Sequence, residues 1–299
     1  MHYDIRLSLH YAYDAWAGGG RHQVRVLPPT IPGVQRVVAA SLSFAPAPTE
    51  RSDFTDFFGT NVTAIVCRDA HDTLDVKMSA RVAVARPEIG LDVSPTLSRL
   101  REEVAGVLSL APESPQHFLA ASDHAGIDAD ITAYAAVSLG EPSVRALARD
   151  LCGRIHRDFA YDGEATTVAT HASDAFALKR GVCQDFSHVM IAGLRGLGIP
   201  AGYVSGFLRT IPPPGKERLE GADAMHAWVK VWCGRESGWI EFDPTNDMLA
   251  SNDHITVGYG RDYSDVAPIV GVLKTTGGQE AEQKVDVVPV DAKSVEAAR

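Results

Sequence analysis

From the first residues to about position 86, apolar and polar positions alternate or run in short stretches rich in β-branched residues. These stretches are IRLSLHYAY, HQVRVLPP, QRVVAASLSF, NVTAIVC and LDVKMSARVAV, separated by clusters of Gly, Pro and Asp. A period of two sends successive side chains to opposite faces of a strand, so the region reads as an all-β sandwich. Between Arg86 and Pro95 the sequence RPEIGLDVSP holds two prolines and a glycine, and beyond it the period turns helical. The chain therefore divides into a β domain over residues 1–90 and a second domain over residues 91–299.

In the second part, SVRALARDLCGRIHRDFAY places Val144, Leu147, Leu151, Ile155 and Phe159 three and four apart, the stripe of an amphipathic helix, with Cys152 beside it. A loop over 162–170 precedes a short helical segment, SDAFALKR, with Ser173 as its N-cap and Gly181 after its end. Cys183 opens another helix, whose apolar face (Phe186, Met190, Leu194, Leu197) runs until Gly198 and Pro200 stop it. AGYVSGFLRT, MHAWVKVWC and GWIEFDPT follow as strands, the last two joined by Gly234-Arg235-Glu236-Ser237. VGVLKT and KVDVVPV are candidate strands of the tail, which ends in a polar segment expected to fray. The fold class is α+β.

Composition and charge narrow the function. Hydrophobic residues make up 45% and charged residues 22% of the chain, a globular composition that excludes disorder. A formal net charge of −10 without a Lys/Arg cluster repels nucleic acid and anionic membrane surfaces. The first residues, MHYDIRLSLHYAYDAW, lack the basic and apolar regions of a signal peptide, and no apolar run nears the ~18 residues of a membrane span. Cys67, Cys152, Cys183 and Cys233 form no CxxC pair, which argues against zinc or a redox dithiol. The expectation is a cytoplasmic protein with free thiols and no metal or cofactor, and the Asn61-Val62-Thr63 sequon is then irrelevant.

Cysteine is nucleophilic as its thiolate, and a helix N-terminus stabilises that anion through free N–H groups and the positive end of the dipole. Cys183 occupies such a position, after a glycine that keeps the approach to the site small, and its own amide can donate to an oxyanion. His226 and Asp243 lie on the two arms of a predicted hairpin. A two-residue loop would set them directly opposite and a four-residue loop would set them diagonally on one face. A three-residue loop would separate them. A nucleophile at a helix start, a His and an Asp on adjacent strands supply what covalent acyl transfer requires. His188 falls on a different helical face from Cys183 and His254 lies in a polar stretch, so His226 takes the place of the base. Asp185, an anion beside the thiol, is assigned to structure.

Gly181-Val182-Cys183-Gln184-Asp185-Phe186-Ser187-His188, then His226-Ala227-Trp228, then Trp239-Ile240-Glu241-Phe242-Asp243-Pro244-Thr245-Asn246 resemble, in order and spacing, the three core motifs of the transglutaminase-like superfamily. The segments Asp253-His254-Ile255-Thr256-Val257 and Gly260-Arg261-Asp262-Tyr263-Ser264-Asp265-Val266-Ala267-Pro268 resemble its bacterial branch of cysteine-protease-like proteins. Asp56-Phe57-Phe58-Gly59-Thr60-Asn61-Val62 is similar to the β domain that precedes the core in that branch, with Gly-Thr-Asn where Gly-Asn is commoner.

The resemblance spans nearly the whole chain. It implies a papain-like core, helices packed on an antiparallel sheet, whose nucleophile, base and orienting residue map onto Cys183, His226 and Asp243. Tyr161 and Gln184 are candidates for the second oxyanion donor or the cleft wall. The resulting expectation is hydrolysis of a peptide or carboxamide bond in a protein or peptide substrate. A protein-glutamine transglutaminase, with an amine in place of water, is the first alternative, and no Asp-x-Asp-x-Asp-Gly calcium loop supports it. A non-catalytic binding or scaffold protein on the same fold is the second.

Overall fold

The computed structural model describes residues 1–210 and 223–290. Its N-terminal part contains β1 (His2–Val24), β2 (Gln35–Ala45), β3 (Glu50–Thr55), β4 (Asn61–Cys67) and β5 (His71–Val84). Two of the expected strands are one: β1 runs through Gly18-Gly19-Gly20 with irregular register, and Gly19 takes φ +62°, a conformation open to glycine. Because β1 is long and bends, its first half pairs with β5 and its second half with β4. The all-β region is accordingly one curled antiparallel sheet in the order β2-β5-β1-β4-β3. β3 has every residue exposed, so no alternation marked it.

The helical part comprises α1 (Leu97–Ala105), α2 (Ala129–Ala136), α3 (Val144–Asp158), α4 (Ala172–Leu178) and α5 (Cys183–Gly196). Ser143 caps α3 by accepting from the Ala146 amide at 3.1 Å. The N-cap of α4 is His171, not Ser173, and Lys179 closes it at φ 53°. Between these helices β6 (Ala160–Tyr161) pairs in parallel with β7 (Arg180–Gly181), which brings Tyr161 next to the backbone leading into Cys183.

The second sheet contains β8 (Ala201–Leu208), β9 (Met225–Trp232), β10 (Trp239–Asp243), β11 (Met248–Leu249) and β12 (His254–Gly260), in the order β11-β10-β9-β8-β12. Helix α5 packs on its Ala227, Val229 and Val231 side together with Leu151, Ile155, Met190 and Leu194, which form the core of this half.

The tail does not stay with the second domain. β13 (Ile269–Lys274) and β14 (Gln279–Val290) both pair with β1, so the unit expected over 91–299 ends before these strands. The physical reason is alternation: Val285 and Val287 face inward and join the core of the curled sheet, where Tyr3, Ile5, Leu7 and Val76 are buried. The terminal segment expected to fray, 291–299, lies outside the described residues. Phe207, Ile255 and Val257 of the second sheet enter the same core, and Gln35 bonds both the amide and the carbonyl of Thr256, at 2.9 and 2.7 Å. The curled sheet thus grips β12. No helix among the described residues is long and apolar enough to cross a membrane.

Candidate active site

Cys183 is the first residue of α5 and half-buried, whereas Cys67, Cys152 and Cys233 are buried. Asp185 shapes the turn that delivers it. The carboxylate accepts from the Val182 amide at 2.8 Å and from the Thr166 hydroxyl at 2.6 Å, the structural role expected of it. A Cβ on Gly181 would lie 2.3 Å from that carboxylate oxygen, so only glycine fits there.

The β9–β10 connection is a four-residue helical turn, Gly234–Ser237, closed by a bond from the Cys233 amide to Gly238. Trp232 therefore pairs with Trp239 and Phe242 with Val229, so His226 and Asp243 sit diagonally on one face, as a four-residue loop dictates. His226 Nε2 donates to Asp243 Oδ2 at 2.8 Å. The Cys183 sulfur is near enough to the imidazole to act on its charge. The body of α5 covers the opposite face, through Ala227, Val229 and Val231.

Burial alone would suppress the charge on His226, but attraction to the Cys183 sulfur and the bond to Asp243 outweigh it and push the pKa up to about 10. Asp243 is fully buried. Burial opposes its ionisation, yet bonds from His226 and His254 and the attraction of His226 hold it far below the ordinary carboxylate range. Its Oδ1 accepts from the amides of Thr245 (2.9 Å) and Asn246 (3.1 Å), and its Oδ2 from Asn246 Nδ2 (2.7 Å) and His254 Nε2 (3.1 Å) as well as from His226. His226, Asp243 and His254 form a group whose donor atoms lie within 4.8 Å of one another, and these hydrogen bonds occupy them.

Tyr161 and Gln184 line the approach differently. Tyr161 is 64% exposed, and its hydroxyl pKa is raised by burial of its remaining surface and then by the nearby sulfur. Gln184 is buried and spends an amide N–H on the Val168 carbonyl at 3.1 Å, tying down the loop over 162–170. Three neighbours were given no part in the site by sequence reasoning. Asn246 follows the DPT turn that drew attention to Asp243 alone. His254 opens the alternating strand HITVGYG, a signal outweighed by the polar SND before it. Tyr203 lies on a strand buried in all but its last residue, its hydroxyl pKa raised by burial and then by Cys183.

His188 is buried apart from this group. It accepts from the Tyr263 amide at Nε2 (3.2 Å), stacks on His124 at 5.2 Å, and among the described residues has no partner at Nδ1.

Residues 131–244 match the family model of the transglutaminase-like superfamily, and residues 3–83 match that of the bacterial transglutaminase-like N-terminal region. The uncharacterized protein Rv2569c of Mycobacterium tuberculosis is 38% identical over 270 residues, covering 88% of this chain and 85% of its own. The uncharacterized protein ML0607 of Mycobacterium leprae is 30% identical over 285 residues, covering 94% and 96%. A solved structure described as a "Putative Cysteine Protease" from Cytophaga hutchinsonii, 21% identical, has the same fold, with a TM-score of 0.72 over 98% of this chain and 91% of that one. Family models for both halves and relatives aligned over most of the chain lead to one conclusion: the chain belongs to the transglutaminase-like superfamily.

Proposed function

We propose that the chain is a cysteine-dependent acyl-transfer enzyme that hydrolyses a peptide or carboxamide bond of a protein or peptide substrate. The observation that carries this reading is the His226 Nε2 to Asp243 Oδ2 bond of 2.8 Å, with the Cys183 sulfur on the same imidazole. In the first step His226 takes the Cys183 thiol proton as the sulfur attacks the carbonyl carbon, and the C=O electron pair moves onto oxygen, toward which the Cys183 amide at the start of α5 can donate. The intermediate collapses as the C–N bond breaks, and His226 passes its proton to the departing amine, leaving a thioester. Water then adds to the thioester carbonyl, His226 takes the water's proton, and the C–S bond breaks to release the acid and restore the thiol–imidazole pair. Asp243 fixes the ring and stabilises its charged form.

Two measurements test the reading. Limited iodoacetamide labelling of the folded protein with peptide mapping should modify Cys183 first. Burial pushes Cys152 up to about 12 and raises Cys67 and Cys233 as well, which leaves those thiols unreactive at neutral pH. Peptide-library digestion in the presence of a primary amine, read by mass spectrometry, should then give cleaved or deamidated products that vanish in Cys183→Ala. Predominant amine adducts would make the protein a transglutaminase instead, and earlier alkylation of another cysteine would remove Cys183 as the nucleophile.

A further inference from the structure

Asp243 Oδ2 is shared between two imidazoles. His226 donates to it at 2.8 Å and His254 at 3.1 Å, and the second donor is fully buried. The tautomer of His254 follows from its other nitrogen: Nδ1 faces the Ser251 amide at 3.1 Å, and a backbone N–H can only donate. Nδ1 is therefore bare and the ring proton is on Nε2, directed at the carboxylate.

The position of His254 is set from three sides. The Trp228 ring meets it edge-on at 5.1 Å and also stacks at 6.0 Å with His226, whose ring lies 6.2 Å from that of His254. Gln35 brackets Thr256 two residues along β12. Tyr3 of the curled sheet donates to Asp253 at 2.6 Å, and Arg86 donates to the His254 carbonyl at 3.4 Å. A purely apolar residue would fill the same space against Trp228, so the retained donor needs its own explanation.

We propose that His254 is a positioning residue of this site, a neutral imidazole locked as an Nε2–H donor that competes with His226 for Asp243 Oδ2 and so limits how tightly the carboxylate holds the imidazolium. The inference rests on the acyl-transfer reading, in which His226 must release its proton to the leaving amine. A carboxylate with no competing donor would bind that proton more firmly and slow its release. The curled sheet, through Gln35 and Tyr3, together with Arg86 just beyond β5, acquires a function by holding the strand that carries the competitor. The other charged groups on this face are accounted for. Glu241 accepts from Arg86 (2.9 Å) and Trp228 (2.6 Å), Lys230 lies over the Phe118 ring at 4.0 Å, and Asp253 is engaged by Tyr3. The Cys183 sulfur is a further neighbour that acts on the charge of His226.

The test needs no substrate. Nitrogen-15 histidine spectra of the full chain at neutral pH should show His254 protonated at Nε2 and bare at Nδ1; the opposite tautomer or a cationic ring overturns the proposal even if no variant folds. In His254→Phe, the His226 Nε2–H proton should move downfield, and the imidazole titration should rise by about half a pH unit or more. His254→Gln, which keeps an N–H donor, should stay close to the unmodified protein in both. An unchanged or lowered His226 titration in folded His254→Phe, or an equal change in both variants, overturns it. The hydrolytic reading stands or falls separately, on the products of peptide-library digestion. If hydrolysis is found, kcat in His254→Phe should fall with little change in KM and recover in His254→Gln.

Discussion

His226 and His188 are both held inside the same half of the molecule, and the same force acts first on each: burial disfavours the charged imidazole. Their fates are opposite. His226 ends near 10 because a thiol and a carboxylate surround it, whereas His188 is driven down to about 3 because the pull of Asp262 is too weak to offset burial and the neighbouring His124 adds to it. Burial sets the cost of charge, and the partners decide whether the cost is met. A buried histidine is a candidate for proton transfer only where two partners converge on it, and His226 meets that condition.

Removing the carboxylate should break the contrast most severely. Asp243→Asn keeps the shape but withdraws the charge, so His226 should fall toward the behaviour of His188. Turnover on any peptide cleaved by the protein should drop by about 10³- to 10⁴-fold with the fold retained. Circular dichroism with steady-state kinetics would check this. A loss under tenfold would mean that Asp243 orients nothing essential.

Much of this contrast was readable in the chain. The spacing of Cys183, His226 and Asp243 and the parity of the hairpin placed the pair on one face, because a period of two leaves few choices. The position of α5 was less readable. Ala227, Val229 and Val231 take its apolar side, and only tertiary packing shows that the helix covers the alternate face. β3 escaped because an exposed edge needs no apolar residue, and β14 was detected without its partner because alternation gives a strand's faces and not its neighbour. His254 reaches Asp243 across two strand ends, a contact that no local period reports.

The pH dependence of stability should separate the two histidines by sign. His226 has a folded value raised from 6.5 to about 10, so its contribution is complete below pH 6.5 and is lost as pH rises toward 10. His188 has a folded value lowered from 6.5 to about 3, so its contribution is present above pH 6.5 and is lost as pH falls toward 3. Urea midpoints measured from pH 4.5 to 9 should therefore decline on both sides. His188→Gln should flatten the acid side by on the order of 1–3 kcal/mol, and His226→Gln the alkaline side. An acid slope unchanged in His188→Gln would clear His188 as its cause.

The smallest effect should come from Tyr161, and it extends the same distinction from imidazoles to hydroxyls. Tyr161 and Tyr203 both feel the Cys183 sulfur, but Tyr161 is 64% exposed whereas Tyr203 is buried at 3% exposure. A donor in contact with water is replaced by water when it is removed, whereas a buried donor leaves the oxyanion without a partner. Tyr161→Phe should therefore lower kcat less than about threefold, and Tyr203→Phe should lower it by about tenfold or more, with KM little changed in either. The Phe186 edge contact of the Tyr161 ring survives the substitution, so folding is not at issue. A hundredfold loss in Tyr161→Phe, with Tyr203→Phe nearly silent, would place the second oxyanion donor on the exposed side of the sulfur and overturn this expectation.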